Sequence, residues 1–563
     1  MKIPARFAFA LAFLFGLTTP ATVRAQWVDD GAPVCTEIGT QSRIAAVPDG
    51  LGGVILVWQD GRAGTNTAAI FAQHLDGAGV PLWATGGIPV CPSGGPQLTP
   101  SAAPDGAGGV VVAWHENRSG PYDIYAQRVS ASGVLQWGPA GVPVCTQSSI
   151  QAEARIVSDG AGGAIIAWED YRNGISNRDI YAQRVDASGL ATWSNNGVPV
   201  CTASGEQLRA RIAPDGGGGV IITWRDHGRL NVYAQRLDGT GAVQWVPDGA
   251  TVCGAAGSQG DPVIISDGAG GAYLAWDDSR SGTSGDIYAQ RVDANGIGQW
   301  TPDGVTVCTA TFLQASPILV GDGLGGMVVV WHDYRLGFGN PDLYAQRLGG
   351  GGATQWAANG QALSSAAGSQ EVPSAASDGA GGVIVTWTDW RTELDIYAQH
   401  LDAAGVRQWT ANGVHVCALP GYQQESAVVA DLSGGAIVAW RDDRTSTASD
   451  IYAQRLPAVA AVGVGPNPVA AGERLTGPFP NPTRGAVAFV LRTSGGPQVA
   501  ASVTDVAGRR VRDLKPREKE PGVYSISWDG RSGSGLLLPT GVYLVHIRIG
   551  NHAETRRVIR LRE

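Results

Sequence analysis

Asp60, Glu116, Asp170, Asp226, Asp278, Asp333, Asp389 and Asp442 each stand two residues after a tryptophan. In every case but the fourth an arginine follows two residues later, as in Arg172, Arg280, Arg335 and Arg391. In six copies a second aspartate stands two residues before a tyrosine, as in Asp179, Asp286, Asp342 and Asp395. Paired carboxylates suit calcium, so one reading is a ring of cation sites. An arginine inside each set argues instead for an ion pair bracing a loop, with no cofactor, and that reading is preferred. The fourth copy has Gly228 at the arginine position and Asn231 at the second-aspartate position, which reads as two partners lost together.

A catalytic site uses residues that one repeat alone supplies, so a feature present eight times reads as scaffold. Departures from the repeat are few. There is no G-x-S-x-G, no H-E-x-x-H and no EF-hand loop, and no residue is assigned a catalytic or metal-binding role. The run 321–326 matches G-x-G-x-x-G only formally, because it is the repeat's own turn with no helix after it. The position three past the first tryptophan does vary, and holds Tyr171, His227, Tyr334 and Trp390 in four copies. Exposed rings of this kind stack on sugars or anchor a protein partner. These four are the candidate ligand-binding residues.

The elements that must position these groups follow from the spacing. An Asp-Gly turn precedes the first tryptophan by 9 residues, and the Tyr of Y-A-Q-R precedes a second tryptophan by 12. A cysteine (Ser364 in the seventh copy) comes 8 residues after that, and the next Asp-Gly turn 14 after the cysteine. Only the interval from the first tryptophan to the tyrosine varies, from 9 to 13 residues. Each unit supplies four short apolar or alternating runs separated by glycine turns, which are the strands of a β-propeller blade. The eighth copy ends at Leu456 without its fourth strand, and the missing Trp…Cys piece stands at 27–35. The expected fold is therefore an all-β, eight-bladed propeller over 26–456, closed by an N-terminal strand that removes a free edge. The variable interval is the loop between the second and third strands, on the face where one blade connects to the next.

Composition agrees and adds exclusions. Of 563 residues 81 are glycine and 18 tryptophan, with 16% charged. Residues 26–456 hold 22 Lys and Arg against 41 Asp and Glu, and 478–563 hold 14 against 7. An acidic body repels phosphate backbones, so no nucleic acid is expected as partner. The seven cysteines share one repeat position, too far apart to bridge, and read as small buried side chains. Lys2, Arg6, an apolar run at 7–17 and a small-residue site before Gln26 read as a signal peptide over 1–25. No later run is long enough to span a bilayer, so the chain is expected outside the inner membrane, extracellular or on the outer surface, as a monomer.

The repeat stops after Leu456, and 457–477 is a linker rich in Pro, Ala and Gly. Residues 478–563 alternate strands with glycine turns on the scale of a small β-sandwich. They carry Pro480-Asn481-Pro482, Asp505 with Gly508-Arg509, Trp528-Asp529-Gly530, Gly535, Gly541-Val542-Tyr543 and Arg557-Val558-Ile559-Arg560-Leu561. On these residues the segment resembles the Ig-like domain of the FlgD (flagellar hook-capping) family and the C-terminal sorting domain of the type IX secretion system. The resemblance implies an Ig-like fold and, as partner, the secretion machinery. The propeller repeat resembles repeats of secreted bacterial proteins of unassigned function.

Function is expected to be non-enzymatic binding of an extracellular glycan or protein through the face carrying the variable loops. The alternative is a polysaccharide hydrolase or lyase with carboxylates drawn from the central channel. A purely structural surface element is the third reading.

Overall fold

The computed structural model describes residues 27–458, apart from 65–67, 93–94, 119, 283–284, 338, 392, 418 and 446–447. Beyond these it describes 474–479, 486–492, 499–505, 509–520, 523–549 and 552–560. The signal peptide expected over 1–25 lies outside the described residues. Two compact units result, Met1–Ala458 and Val459–Glu563. Among the described residues all regular structure is β-strand, and no helix is long and apolar enough to cross a membrane.

The first unit holds eight four-stranded antiparallel sheets in simple up-and-down order. Blade two is typical, with strands Gln97–Pro104, Val110–Glu116, Asp123–Val129 and Val142–Cys145. Its hairpin turn needs glycine: Asp105 Oδ1 accepts the Ala107 and Gly109 amides at 2.8 and 2.7 Å, while Gly106 and Gly108 take φ of 76° and 80°. The second strand, V-V-V-A-W-H-E, is buried almost throughout, and its Trp114 packs with Val57 and Ile70 of blade one. The core therefore lies between neighbouring blades, so no blade is stable without its neighbours.

Blade eight consists of Gln423–Ala430, Ala436–Asp442 and Asp450–Leu456, completed by Ala32–Cys35 from the chain start. Ala32 pairs with Ala453 and Pro33 with Tyr452. The first strands of successive blades neighbour one another all the way round, with Gln423–Ala430 beside Gln41–Pro48, and so line the central axis. Second tryptophans latch each blade to the next: Trp83 Nε1 donates to the Ala131 carbonyl at 2.9 Å, and Trp137 Nε1 to that of Ala187 at 3.1 Å. Trp27 does the same across the closure, donating to the Gly77 carbonyl at 3.1 Å. On that same face the Arg of Y-A-Q-R holds the Asp of the Asp-Gly turn, as Arg184 holds Asp159 at 2.9 Å, with His74 and His400 replacing it opposite Asp49 and Asp378.

The second unit is an Ig-like sandwich of two four-stranded sheets. Phe489, Leu491, Ile526 and Trp528 of one sheet pack on Val503, Tyr543, Val545 and Ile547 of the other. Its first strand, Arg474–Phe479, begins inside the stretch read from the sequence as linker, because Leu475 pairs with Leu491. Pro480, Asn481, Pro482, Gly508 and Leu561 lie outside the described residues.

Ring closure by the leading segment makes a local prediction. Trp27→Ala should speed amide exchange of Asp450–Leu456 about tenfold or more, leaving Asn231–Leu237 in blade four unchanged. Hydrogen exchange with mass spectrometry would read it, and an equal response all round the ring would contradict this closure.

Candidate functional site

The repeated carboxylates form a compact knot at the end of each second strand. In blade three, Asp170 is fully buried and Trp168 Nε1 donates to its Oδ2 at 2.8 Å. Arg172 donates to both oxygens, Nε to Oδ1 at 2.8 Å and Nη2 to Oδ2 at 2.7 Å. The same guanidinium lies 3.6 Å over the Tyr181 ring and donates to the Asn196 carbonyl at 3.0 Å. Asp278 with Arg280, Asp333 with Arg335 and Asp389 with Arg391 make the same pair, each at 2.6 Å. The cysteine sits beneath, its Sγ within 3.1–3.7 Å of the arginine Nη2 in blades one, three, five and six. Ser364 takes that place in blade seven, its hydroxyl accepting from Arg391 at 3.4 Å. All seven thiols are unbridged and buried, and burial pushes Cys145, Cys201, Cys253 and Cys308 up to about 12.

The fourth blade corrects the sequence reading. Its arginine is not lost but delayed by one residue: Arg229 pairs with Asp226 at 2.6 Å, lies 3.6 Å over Tyr233 and reaches the Asp248 carbonyl at 3.1 Å. A shorter loop permits the shift, at a cost, since Trp224 Nε1 is left buried without a hydrogen bond. The second aspartates are likewise not the arginines' ion-pair partners. Asp179 accepts from Asn173 Nδ2 at 2.6 Å and leaves Oδ1 buried and unbonded, as does Asp342. Asp286 accepts from Ser281, and Asp395 faces His415 at 3.4 Å. Burial, and the repeat's first carboxylate directly opposite in the ladder, push Asp179 and Asp342 up to about 6. Among the described residues no three His, Cys, Asp or Glu side chains gather as a metal-binding group.

Between the fixed tryptophan and the fixed acid lies a position that never settles: Gln59, His115, Glu169, Arg225, Asp277, His332, Thr388 and Arg441. It sits at the loop-face end of the second strand, beside a bulge in the first. In seven blades that bulge puts a non-glycine residue in the left-handed region, among them Arg43, Glu153, Arg209 and Glu425 at φ of 54–58°. Such a conformation costs about 1–2 kcal/mol per residue, and here it frees backbone amides from the ladder. The Arg209 amide donates to Glu169 Oε1 at 2.8 Å in the preceding blade, and the Arg43 amide to Glu425 Oε2 at 2.8 Å. The two columns together surround the mouth of the axis with chemistry that does not repeat.

Blade five departs furthest. Gly260-Asp261-Pro262 replaces the bulge, and its first strand starts only at Val263. Asp261 faces Arg209 at 3.2 Å and Arg225 at 3.9 Å. Behind it burial and the Asp261 charge push Asp277 up to about 6. A β-carbon at Gly260 would lie 2.1 Å from Asp277 Oδ2, so the glycine is what admits this carboxyl. Glu169 is also buried and raised by burial, and accepts from Arg178 at 3.3 Å. In blade six burial pushes His332 down to about 4, which leaves a neutral imidazole. Charge at the mouth thus lies on blades three to five and, through Glu425, Arg441 and Arg43, on blades eight and one, while blades two, six and seven carry no acid or arginine in these two columns.

The aromatic candidates divide. Tyr171 and His227 are joined through one bridge: Arg178 lies 5.4 Å over the Tyr171 ring and pairs with Glu206 at 2.7 Å, which faces His227 at 3.7 Å. Tyr334 and Trp390 stand apart on blades six and seven, Trp390 49% exposed with Nε1 donating to Glu371 at 3.3 Å. Each is tied to the incoming connection by its own amide, as Tyr334 to the Leu313 carbonyl at 2.8 Å. The column one past the tryptophan went unremarked in the sequence, although its signal was there: polar residues of every kind between two invariant positions of a buried strand.

Residues 481–551 match the model of the FlgD Ig-like domain. A 54-residue stretch is 39% identical to the basal-body rod modification protein FlgD of Salmonella typhimurium, covering 10% of this chain and 23% of that protein. The chain thus spans about a quarter of the length of the curated relatives it matches. Among solved structures, a polysaccharide lyase described as an ulvan lyase is similar at 9% identity and a TM-score of 0.42, over 77% of this chain and 96% of that one. An endo-arabinase from Bacteroides thetaiotaomicron is similar at 14% identity and a TM-score of 0.28, over 45% of this chain and 94% of that one. At these scores the likeness carries no functional argument.

Two predictions follow from the knots. Trp168→Phe removes a hydrogen bond to a buried carboxylate, whereas Trp224→Phe removes none. Denaturant unfolding should find the first more destabilising by about 1.5–3 kcal/mol; equal losses would contradict the unbonded Trp224. Asp342 has its pKa raised on folding, so the folded state binds more protons, and its stabilising effect is lost as pH rises from about 4 through about 6. Asp342→Asn should therefore raise the melting temperature at pH 7.5, by about 1 °C or more, and bring no gain at pH 4. A fall at pH 7.5 would show that the carboxylate has a partner.

Proposed function

We propose that this chain is an exported binding protein that takes a glycan at the loop-face mouth of the propeller axis. One observation carries the reading: ionisable groups that break the repeat, Glu153, Glu169, Arg209, Arg225, Asp261 and Asp277 among them, converge there, at and beside the strained bulges. Glu153 and Asp261 are suited to accept hydrogen bonds from sugar hydroxyls, and Arg209 and Arg225 to donate to ring and hydroxyl oxygens. Tyr171 and Trp390 on the flanking loops offer faces on which a sugar ring packs. Export is part of the same reading, supported by the basic and apolar leader over 1–25 and by the FlgD-like tail, which would engage the secretion machinery.

A second reading, a polysaccharide hydrolase or lyase, rests on Asp277. A carboxyl raised to about 6 beside a second carboxylate is half protonated at about pH 6, where an ordinary aspartate is ionised, and a general acid needs that retained proton.

Affinity electrophoresis and calorimetry of the purified full chain against plant and algal polysaccharides test both. Binding without new reducing ends or unsaturated products is expected, with Asp261→Ala weakening it about tenfold, or about 1.4 kcal/mol. Affinity unchanged in Asp261→Ala, or no polysaccharide bound at all, would end the glycan reading. Cleavage that disappears in Asp277→Asn, and that falls away as pH rises through about 6, would establish the hydrolase or lyase in its place.

A further inference from the structure

Arginines in the propeller almost always face a carboxylate. Of its 22, only Arg43, Arg211 and Arg407 have no such ion pair among the described residues. Arg43 is exposed, and Arg407 gives two N–H groups to the Ala362 carbonyl at 2.9 and 2.6 Å. Arg211 is different: it is half-buried, and among the described residues its side chain makes one hydrogen bond, to the neighbouring Ala210 carbonyl at 3.1 Å. It occupies the same repeat position as Arg155 in blade three, which likewise bonds its own neighbour's carbonyl, that of Ala154, at 3.0 Å. Arg209, two residues before it, projects from the left-handed bulge with its side chain 58% exposed.

Three guanidinium groups are thus gathered at the axis, Arg155 paired with Glu153 at 2.9 Å and Arg209 with Asp261 at 3.2 Å, and Arg211 with neither. Burial, and after it the charges of Arg155 and Arg209, push Arg211 down to about 10. An unpaired cation in such company is costly unless an anion completes it. The surrounding charge sharpens the point, since the propeller as a whole runs to 22 basic against 41 acidic residues.

We infer that blades three and four recognise the acid group of an anionic polysaccharide, a uronate carboxylate or a sulfate ester, through Arg155, Arg209 and Arg211. This deepens the glycan-binding reading and rests on it. A guanidinium fork matches the geometry of a carboxylate or sulfate. Glu153 and Asp261, interleaved with the arginines, are acceptors for hydroxyls, which a sugar polymer carries beside each acid group and the deoxyribose-phosphate backbone of DNA does not. A polyphosphate would also meet the acidic body on either side of so small a patch.

The test uses the full chain against polygalacturonate and its methyl ester, a sulfated galactan and its desulfated form, and neutral arabinan. Polyglutamate and single-stranded DNA complete the panel. Tighter binding of the acid over the esterified or desulfated form, by about tenfold or more, is expected, and which pair shows it tells uronate from sulfate. Arg155→Gln with Arg211→Gln should abolish that preference while leaving binding of the neutral forms intact. Arg407→Gln should leave the preference unchanged, and thermal melts confirm that each variant is folded. Equal affinity for acid and neutral polymers would overturn this inference and leave the glycan reading standing. A preference that survives the double substitution, or equal binding of polyglutamate or DNA, would overturn it too. Failure to bind any polysaccharide would remove both.

Discussion

A buried carboxylate held by an indole and a guanidinium is the interaction on which this molecule depends. Burying an aspartate is costly unless its charge and its lone pairs are satisfied. Asp333 shows how that is met: Trp331 Nε1 donates at 2.9 Å, and Arg335 donates from its backbone amide at 2.9 Å and from its side chain at 2.8 and 2.6 Å. The arginine, stacked 3.7 Å over Tyr344, then reaches the Asn359 carbonyl at 2.8 Å and so joins the second, third and fourth strands of its blade. Each of these groups serves more than one partner, so the whole set must be present for any of it to be stable. Such mutual need explains the fixed spacing of the repeat better than hydrophobic burial does, because burial alone tolerates substitution.

The architecture was legible because its determinants are local and repeated. Asp-Gly turns, buried apolar strands and a displaced Trp…Cys strand each follow from spacing, and together they specify blades and closure. Partners across the sheet were harder to read. Asp179 stands seven residues after Arg172 and opposite Asp170 in the ladder, so proximity in sequence suggested an ion pair where the strand geometry sets two carboxylates against each other. Arg229 was overlooked because alignment by column assumes that a side chain keeps its index; a flexible guanidinium needs only to reach the same place.

The candidate site was half legible. The loops carrying Tyr171 and His227 do border it, but the mouth itself depends on bulges whose left-handed residues have no signature in residue type: arginine, threonine, glutamate, serine and valine all occupy them. What places Arg209 beside Glu169 is a backbone kink in one blade meeting a side chain from the blade before. Neither segment announces the other, since they lie 40 residues apart.

A ring of eight equivalent modules has no natural place for a single site, so function must come from where equivalence fails. Three failures coincide in blades three to five. Blade four shortens its loop and shifts its arginine, blade five replaces the bulge with Gly260-Asp261-Pro262, and blades three and four put arginine at 155 and 211, where blade one has Ala45 and blade six Ile318. Trp390, though the most exposed ring of the four candidates, stands on a blade whose bulge holds Val372 and whose neighbouring column holds Thr388, and nothing charged gathers in these two positions. Each change in blades three to five is individually unfavourable, leaving an unbonded indole at Trp224, a raised carboxyl at Asp277 and, at Arg211, a guanidinium without an ion pair among the described residues. Scattered round the ring they would be tolerated drift; three adjoining modules carrying all of them mark the segment of the mouth where a ligand's own groups complete the set.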